Sequence, residues 1–296
     1  MSDQAVVIWG EILWDRFPEG SQLGGAPSNV AWHLGLAGGW AQLVSRVGDD
    51  APGRDALERL SQVCDTDLVQ IDPERATGEV EVTLHAGEPR YRLVPGRAWE
   101  RIECTPDVAR AIGEAGVLVF GTLSQHTPHG LAAWKQAIAA AGARCLKVCD
   151  LNLRRTEHPP AGEREAVLAA IEAADVLKVN DQELGKLADW LGWKDPIGEL
   201  RRRPRVIALT HGAAGSTLHG EAGTVEVAGV PAHAKGDNVG CGDAYLALLV
   251  HGMTLGWDLA ECARVASRWA AEVASVRGAT PVLDDVLIED LLGEAA

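Results

Sequence analysis

A glycine-flanked turn near the C-terminal end of the chain has the composition of an anion-binding site. Within Lys235-Gly-Asp-Asn-Val-Gly-Cys-Gly-Asp-Ala-Tyr245, the residues Gly240, Cys241 and Gly242 directly precede Asp243 and an apolar segment with helical spacing. Glycines allow successive backbone N–H groups to point inward at the positive end of a helix. Such a nest would stabilise a phosphoryl group in transfer, and Asp243 could accept a proton from an attacking hydroxyl. The alternative is a tight turn in which Asp243 is only a favoured helix-start residue.

A second polar cluster, near the N-terminus, suits a compound rich in hydroxyl groups. In Leu23-Gly-Gly-Ala-Pro-Ser-Asn29, the paired glycines permit close approach of a ligand, and Asn29 offers both a donor and an acceptor. Asp15 follows the first predicted strand and would add an acceptor for two hydroxyls in the crevice at the strand ends. The alternative is a turn in which Pro27 lies near the start of a helix.

Three further polar segments each follow a predicted strand. They are Asp150-Leu-Asn-Leu-Arg154, Asn180-Asp-Gln-Glu183 and Thr210-His-Gly-Ala-Ala-Gly215. Arg154 could contact phosphate, although an exposed arginine is the commoner outcome. Asn180 and Glu183 also have the spacing of a capping box, which gives them a purely structural alternative. The third segment is a glycine-bearing loop that could lie against a nucleotide.

The elements that must position these residues alternate between strand and helix. Apolar runs predict strands, and apolar residues at helical spacing predict the helices between them. The strands are expected near 6–9, 117–120, 145–149, 176–179 and 206–209, and the helices near 29–36, 131–141, 163–173 and 241–274. This alternation predicts an α/β fold with a doubly wound, mostly parallel sheet flanked by helices.

One region does not follow the alternation of strands and helices. Residues 78–95 alternate apolar and polar side chains around a Gly-Glu-Pro turn, which is typical of an antiparallel hairpin with one solvated face. We expect one domain over residues 1–296, with a small antiparallel β lid formed by about 11–22 and 73–97 inserted in it. A homodimer through the outer face of this lid is a plausible assembly, since a small sheet has edges to cover.

Composition narrows the classes of function. A formal net charge of −15 disfavours nucleic acid and anionic membranes as partners. The N-terminal segment lacks a basic region followed by a long apolar run, so we expect a cytoplasmic protein. The six cysteines form no C-x-x-C pair, which favours reduced thiols. The G-x-x-x-x-G-K-[ST], H-E-x-x-H and G-x-S-x-G motifs are missing, and the turn at 240–245 lacks the third glycine of a dinucleotide-binding fingerprint.

Taken in chain order from Gly10 to Pro281, these segments resemble the ribokinase-like (phosphofructokinase-B) carbohydrate kinase family. The Gly-Gly-Ala-Pro-Ser-Asn element resembles the N-terminal signature of that family in its fructokinase-like form. Asp237-Asn-Val-Gly-Cys-Gly-Asp243 is similar to the C-terminal signature Asp-Thr-x-Gly-Ala-Gly-Asp, with Asn238 in place of Thr and Cys241 in place of Ala. Four other stretches also resemble the fructokinase-like branch: 76–100, 120–124, 150–154 and 176–183.

The resemblance implies ATP-dependent phosphorylation of a sugar hydroxyl, with Mg²⁺ as the metal and K⁺ as a further candidate cation. Asp243 would be the base, and the amides of residues 240–243 would form the anion hole. Asn180 and Glu183 would organise phosphate and hydrated Mg²⁺, with Glu183 acting on the metal through water. The residues implied to flank the nucleotide are Thr210, Gly212 and Gly215.

The same resemblance assigns the remaining candidates to the sugar and to a monovalent cation. Asp15, Gly25 and Asn29 would bind the sugar, whereas Asp237 and the Val239 carbonyl would hold the cation. The acceptor stays open among fructose, ribose, 2-keto-3-deoxygluconate and a nucleoside, because the phosphate machinery does not choose it. A non-catalytic regulator that binds sugar or nucleotide is the alternative from another class.

Overall fold

The computed structural model describes residues 5–17, 20–85, 88–153, 162–234 and 236–293. Arg154, a predicted phosphate contact, lies outside these ranges. In chain order the strands are β1 (Val6–Trp9), β2 (Leu13–Phe17), β3 (Gly20–Gly24), β4 (Ala41–Gly48), β5 (Val69–Asp72), β6 (Gly78–His85), β7 (Glu88–Leu93), β8 (Val117–Phe120), β9 (Leu146–Asp150), β10 (Val176–Asn180), β11 (Val206–Thr210), β12 (Gly215–Gly220) and β13 (Gly223–Ala228).

Ten helices lie in the described ranges, besides short 3₁₀ turns. They are α1 (Ala26–Leu36), α2 (Ala51–Leu60), α3 (Pro106–Glu114), α4 (Pro128–Ala140), α5 (Glu163–Ala173), α6 (Asp181–Leu191), α7 (Pro196–Leu200), α8 (Cys241–Leu255), α9 (Leu259–Ala274) and α10 (Asp285–Gly293). None of these helices is long and apolar enough to cross a membrane.

The main sheet has nine strands in the order β13-β12-β11-β10-β9-β8-β1-β4-β5. The pairs from β5 to β11 are parallel, and the β11–β12 and β12–β13 pairs are antiparallel. Parallel strands need crossover connections, which the intervening helices supply. The predicted doubly wound, mostly parallel sheet is therefore confirmed.

Helices cover both faces of this sheet, and β1 shows the consequence. Val6 and Ile8 pack with α1, α8 and α9, whereas Val7 and Trp9 pack with α3, α4 and α5. All four side chains are at most 1% exposed. A strand that is buried on both faces has an uninterrupted apolar sequence, which is why the short apolar runs predicted these strands.

The second sheet has the order β3-β2-β6-β7 and contains the predicted small antiparallel sheet. Its two hairpins, β2–β3 and β6–β7, are antiparallel, but β2 and β6 join them in parallel. Residues 18, 19, 86 and 87 of the predicted lid lie outside the described residues. Strand β3 ends at Gly24, and α1 begins at Ala26, so the small sheet continues directly into the helix that carries Asn29.

Candidate active site

Helices α1 and α8 meet at a hydrogen bond between Asn29 and Asp243. The Asn29 Nδ2 atom donates to Asp243 Oδ2 at 2.7 Å, although the two residues are 214 positions apart in the chain. A carboxylate only accepts hydrogen bonds, so the amide nitrogen must face it. The other amide atom, Asn29 Oδ1, is buried and has no hydrogen-bond partner in the described structure. The contact brings together the two clusters that the sequence singled out for hydroxyl binding and for phosphoryl transfer.

Each of these helices is preceded by a glycine with a positive φ. Gly25 has φ 103° and Gly240 has φ 78°, and neither helix has a side-chain hydrogen bond at its cap. In contrast, Asp50 at the start of α2 accepts from the Gly53 N–H at 2.8 Å. First-turn N–H groups have no partner within the helix, and no side chain at the cap position binds those of α1 or α8.

The turn before α8 is closely packed at both of its glycines. A Cβ atom on Gly240 would lie 2.6 Å from the Ala279 Cα atom, and one on Gly242 would lie 2.9 Å from Lys178 Nζ. Between these glycines, burial and then the neighbouring Asp237 and Asp243 raise the pKa of Cys241 to about 11. Its thiol is therefore neutral at pH 7 and adds no negative charge to an anion site.

The loop behind Gly240 is held in place from helix α1. The Ala279 carbonyl lies 2.9 Å from His33 Nε2, and Trp269 Nε1 donates to His33 Nδ1 at 3.2 Å. Since Nδ1 accepts, the proton lies on Nε2, which donates to the carbonyl. Burial lowers the pKa of His33 to about 4, against a smaller effect of this hydrogen bond, so the ring is neutral. The helix that presents Asn29 thus also fixes the loop that supports Gly240.

Asp237 links the start of the turn to the same loop. Its Oδ1 atom accepts from the Val239 N–H at 3.1 Å, and its Oδ2 accepts from the Gly278 N–H at 3.2 Å. These bonds use part of the carboxylate, and its remaining lone pairs are of the oxygen type that hard cations prefer. The cation site at Asp237 and the Val239 carbonyl stays a prediction. In the described ranges, no group of three or more His, Cys, Asp and Glu side chains could hold a metal ion.

The carboxyl ends of three neighbouring strands supply the next group of polar residues. Lys178 on β10 is in register with Asp150 on β9, and Asn180 is in register with Thr210 on β11. Lys178 Nζ donates to both carboxylate oxygens of Asp150 at 2.9 Å. Asn180 and Thr210 are therefore neighbours at the carboxyl ends of their strands, two positions beyond the level of Asp150 and Lys178, and open α/β sheets bind ligands at such strand ends.

Asn180 and Glu183 form the capping box that was the structural alternative for them. Asn180 Oδ1 accepts from the Glu183 N–H at 3.0 Å, and Glu183 Oε2 accepts from the Asn180 N–H at 2.8 Å. Glu183 Oε1 accepts from the Leu153 N–H at 2.9 Å. Burial and the nearby Asp150 raise the pKa of Glu183 to about 7, although Lys178 and these amides lower it. Any contact of Glu183 with hydrated Mg²⁺ would use its remaining lone pairs.

The two glycines of the 210–215 loop have different surroundings. Gly212 has φ 58°, and a Cβ atom there would have no heavy atom within 4 Å. Gly215 has φ 108°, and a Cβ atom there would clash with the Val227 carbonyl oxygen. Gly212 therefore borders open space, as a nucleotide-flanking residue must, whereas packing between strands accounts for Gly215.

Asp15 lies beside the glycine pair that precedes α1. It is on β2, opposite Gln22 on β3, and is 8% exposed. A Cβ atom on Gly24 would clash with the Asp15 carboxylate, so this glycine makes room for the acid. The structure thus brings Asp15 next to Gly24 and Gly25, at the start of the helix that carries Asn29.

Lys178 is a residue to which the sequence interpretation gave no role. It is 5% exposed, and it is close to both Asp150 and the turn at Gly242. A signal was present in the sequence, because a lysine inside an apolar strand is almost never buried without a partner. The acidic residue at the end of the preceding strand was the candidate partner.

Comparison with known proteins identifies the family. Residues 20–285 match the pfkB family of carbohydrate kinases. This match covers most of the 296 residues, so the chain belongs to that family and is a sugar kinase, a phosphotransferase with an alcohol group as acceptor. The resemblance noted in the sequence is confirmed.

Relatives align over nearly the whole chain. An uncharacterized sugar kinase from Pyrococcus horikoshii is 28% identical over 284 residues, which cover 93% of this chain and 87% of that protein. Its crystal structure in complex with ATP has a TM-score of 0.81 at 25% identity, and the match covers 96% of this chain and 97% of that chain. Fructokinase-1 of Zea mays is 29% identical over 272 residues, covering 83% of this chain and 82% of that protein.

A fructokinase from Vibrio cholerae O395, crystallised with fructose, ADP and a calcium ion, shares the fold. It has a TM-score of 0.81 at 22% identity, and the match covers 99% of this chain and 100% of that chain. The agreement in fold extends over both sheets.

Proposed function

We propose that this sugar kinase transfers the γ-phosphoryl group of ATP to a hydroxyl of fructose, with Asp243 as the base. The observation that carries the proposal is the 2.7 Å hydrogen bond between Asn29 and Asp243. It supports a site in which a sugar held by α1 meets the carboxylate and the first-turn amides of α8. The ATP complex of the Pyrococcus horikoshii protein supports the nucleotide, and the name of the maize relative supports fructose.

In the proposed reaction the sugar hydroxyl oxygen attacks the γ-phosphorus in line with the leaving oxygen of ADP. A bond forms between that oxygen and phosphorus, the bond between the γ-phosphorus and the bridging oxygen breaks, and Asp243 takes the hydroxyl proton. The amides of residues 240–243 stabilise the charge on the transferring group. Asn29 Oδ1 accepts a hydrogen bond from the sugar, and Asp15 with Gly25 forms the rest of the sugar site. Closure of the β2-β3-β6-β7 sheet as a lid excludes water.

The nucleotide and its cations are proposed to lie along the strand ends. Thr210, Gly212 and Gly215 flank the nucleotide, and Asn180 with Glu183 organises phosphate and hydrated Mg²⁺. When bound, Mg²⁺ neutralises charge on the phosphate oxygens. Asp237 and the Val239 carbonyl hold a monovalent cation such as K⁺ close to the turn.

The direct test is the Asp243→Asn variant in an assay of ADP release with ATP, Mg²⁺ and fructose. Loss of a general base is expected to lower turnover about 100-fold or more. Asp258→Asn is the matched control, because Asp258 caps the next helix, α9, and asparagine caps equally well. Turnover close to that of the wild type in Asp243→Asn would remove Asp243 from its proposed role.

A screen of wild-type ADP release decides the acceptor. Fructose, ribose, glucose, 2-keto-3-deoxygluconate and adenosine are compared, each with and without K⁺. We expect the highest kcat/KM for fructose. A higher value for another acceptor would replace fructose in the proposal, and sugar binding without ADP release would support the regulator instead.

A further inference from the structure

Lys178 carries a buried positive charge directly behind the first turn of α8. It is in the same strand as Val176, two positions away, and Val176 packs in the apolar cluster that includes α8 and α9. Alternate residues of a strand face the same side, so Lys178 also faces α8. Its Nζ atom is 2.9 Å from the position that a Cβ atom on Gly242 would occupy.

One partner fixes this charge at that place. Both carboxylate oxygens of Asp150 accept from Lys178 Nζ at 2.9 Å, and the two side chains are 7% and 4% exposed. A buried ion pair gains little net stability over apolar residues of similar size, because both charges lose their hydration. Stability alone therefore gives a weak reason for placing this pair under the anion hole.

Charged and titratable groups that interact with Lys178 or with Cys241, two groups that interact with Asp243, come from four elements and one turn. They are Asp150 on β9, Lys178 on β10, Glu183 on α6, Cys241 on α8 itself, and Asp237 in the preceding turn. Lys178 is the one cation in this set of described residues. Burial alone would lower the pKa of Lys178, but Asp150, Glu183 and Asp243 raise it above its usual value, so the ammonium keeps its proton at neutral pH.

We propose that Lys178 is a positioning residue for phosphoryl transfer, whose charge keeps Asp243 in its carboxylate form and reinforces the anion hole from behind. The inference rests on the proposed function. Lys178 interacts with the carboxylates of Asp150, Glu183 and Asp243, and a nearby cation favours the charged form of a carboxyl group. A protonated Asp243 could not take the proton of the sugar hydroxyl. Lys178 itself gives and takes no proton in the step.

The test is the pH profile of kcat/KM for sugar in two variants that break the same ion pair. Lys178→Met removes the cation, so the acid limb of the profile should move up by about one pH unit. Asp150→Asn keeps the cation and removes an anion, so its acid limb should move down instead. A role limited to the stability of the pair predicts the same behaviour in both variants.

Lys147→Met is the matched control. Lys147 on β9 pairs with Asp175 at 2.7 Å, at the opposite end of the strand from Asp150. This substitution also breaks a Lys–Asp pair, but it should leave the acid limb in place. Thermal unfolding of all three variants separates loss of fold from loss of charge.

The possible results are distinguishable. An acid limb that stays in place in a folded Lys178→Met protein, or that rises equally in Asp150→Asn, would overturn the inference while the kinase proposal stands. Should Lys178→Met fail to fold, the Asp150→Asn profile decides. A lowered acid limb supports the proposed role, because the cation is kept and an anion is removed, and an unchanged or raised limb contradicts it. Absence of wild-type ADP release with every sugar would overturn the proposed function, and this inference with it.

Discussion

Asn29 uses the two ends of one amide group for different partners. Its nitrogen holds Asp243 at 2.7 Å, and its buried oxygen is left for a ligand. A hydroxyl bound near that oxygen would be close to Asp243, the proposed base. Asn29 is on a helix and is 5% exposed, so its amide is confined. In the proposed reaction this would align the hydroxyl and the base before the sugar binds.

This arrangement predicts the effect of Asn29→Ala. The variant loses one hydrogen bond to a charged group and one to the sugar, so kcat/KM for sugar should fall about 10- to 100-fold. KM for ATP should change little, because the proposed partner of Asn29 is the sugar and not the nucleotide. Steady-state assays with each substrate varied in turn measure both quantities.

Gln42→Ala is the matched control for Asn29→Ala. Gln42 Nε2 donates to Asp65 Oδ2 at 3.0 Å, which is the same amide–carboxylate chemistry away from the site. Its loss should leave both kinetic constants unchanged. An equal rise in KM for ATP and for sugar in Asn29→Ala would contradict the sugar-side assignment of Asn29.

At the scale of elements, α8 begins and ends with glycines of nearly the same conformation. Gly240 has φ 78° and Gly256 has φ 81°. A Cβ atom on Gly240 would meet Ala279 at 2.6 Å, whereas one on Gly256 would meet nothing within 4 Å. Comparing an alanine variant at each end therefore distinguishes the stability cost of a left-handed φ from effects that are specific to the turn before α8.

Alanine at either end should destabilise the protein by about 1–2 kcal/mol, because an alanine must adopt a left-handed φ. Gly240→Ala should cost about 1–3 kcal/mol more, because its Cβ would overlap with Ala279. Only Gly240→Ala should also displace the amides of the turn, and we expect its kcat to fall about tenfold or more. Urea unfolding gives the stability of each variant, and ADP release gives kcat. Equal kcat values for the two variants would contradict a catalytic role of the turn at Gly240.

The sequence predicted those elements that are buried on both faces. The runs at 117–120 and 206–209 are apolar throughout because helices cover both sides of the sheet, and both are strands in the structure. The parallel pairing of β2 with β6 was not predictable in this way, since it joins two hairpins that are distant in the chain. Register between such segments depends on tertiary contacts, which hydrophobic periodicity does not encode.

The candidate site was predictable as a set of residues, but not as a set of contacts. The order of the motifs indicated Asn29 and Asp243, and the structure adds their direct hydrogen bond. The spacing of Asn180 and Glu183 is the same for a capping box and for the proposed phosphate site. The sequence alone therefore could not distinguish the two roles. The role proposed for Lys178 depends on the position of its charge next to Gly242. That position follows from the three-dimensional packing of β10 against α8, which the sequence does not show.

At the scale of the whole molecule, the negatively charged nucleotide that we propose as substrate must approach a protein that is itself negatively charged. The formal net charge is −15, and ATP is anionic. The attraction therefore has to come from short-range groups in the cleft, namely the first-turn amides of α8, the bound cations and Lys178. Long-range repulsion and short-range attraction respond differently to salt, because salt screens exposed charges more than buried ones.

Ionic strength thus offers a test of how the proposed substrates bind. Raising it from about 10 mM to about 150 mM shortens the Debye length from about 30 Å to about 8 Å, which removes most of the long-range repulsion. We expect kcat/KM for ATP to rise by roughly two- to fivefold, at constant Mg²⁺ and K⁺, with tetramethylammonium chloride as the added salt. The value for fructose, a neutral molecule, is the internal control and should stay constant. A fall in kcat/KM for ATP would mean that the field at the cleft is positive despite the acidic surface, and that attraction to the nucleotide extends beyond the groups that touch it.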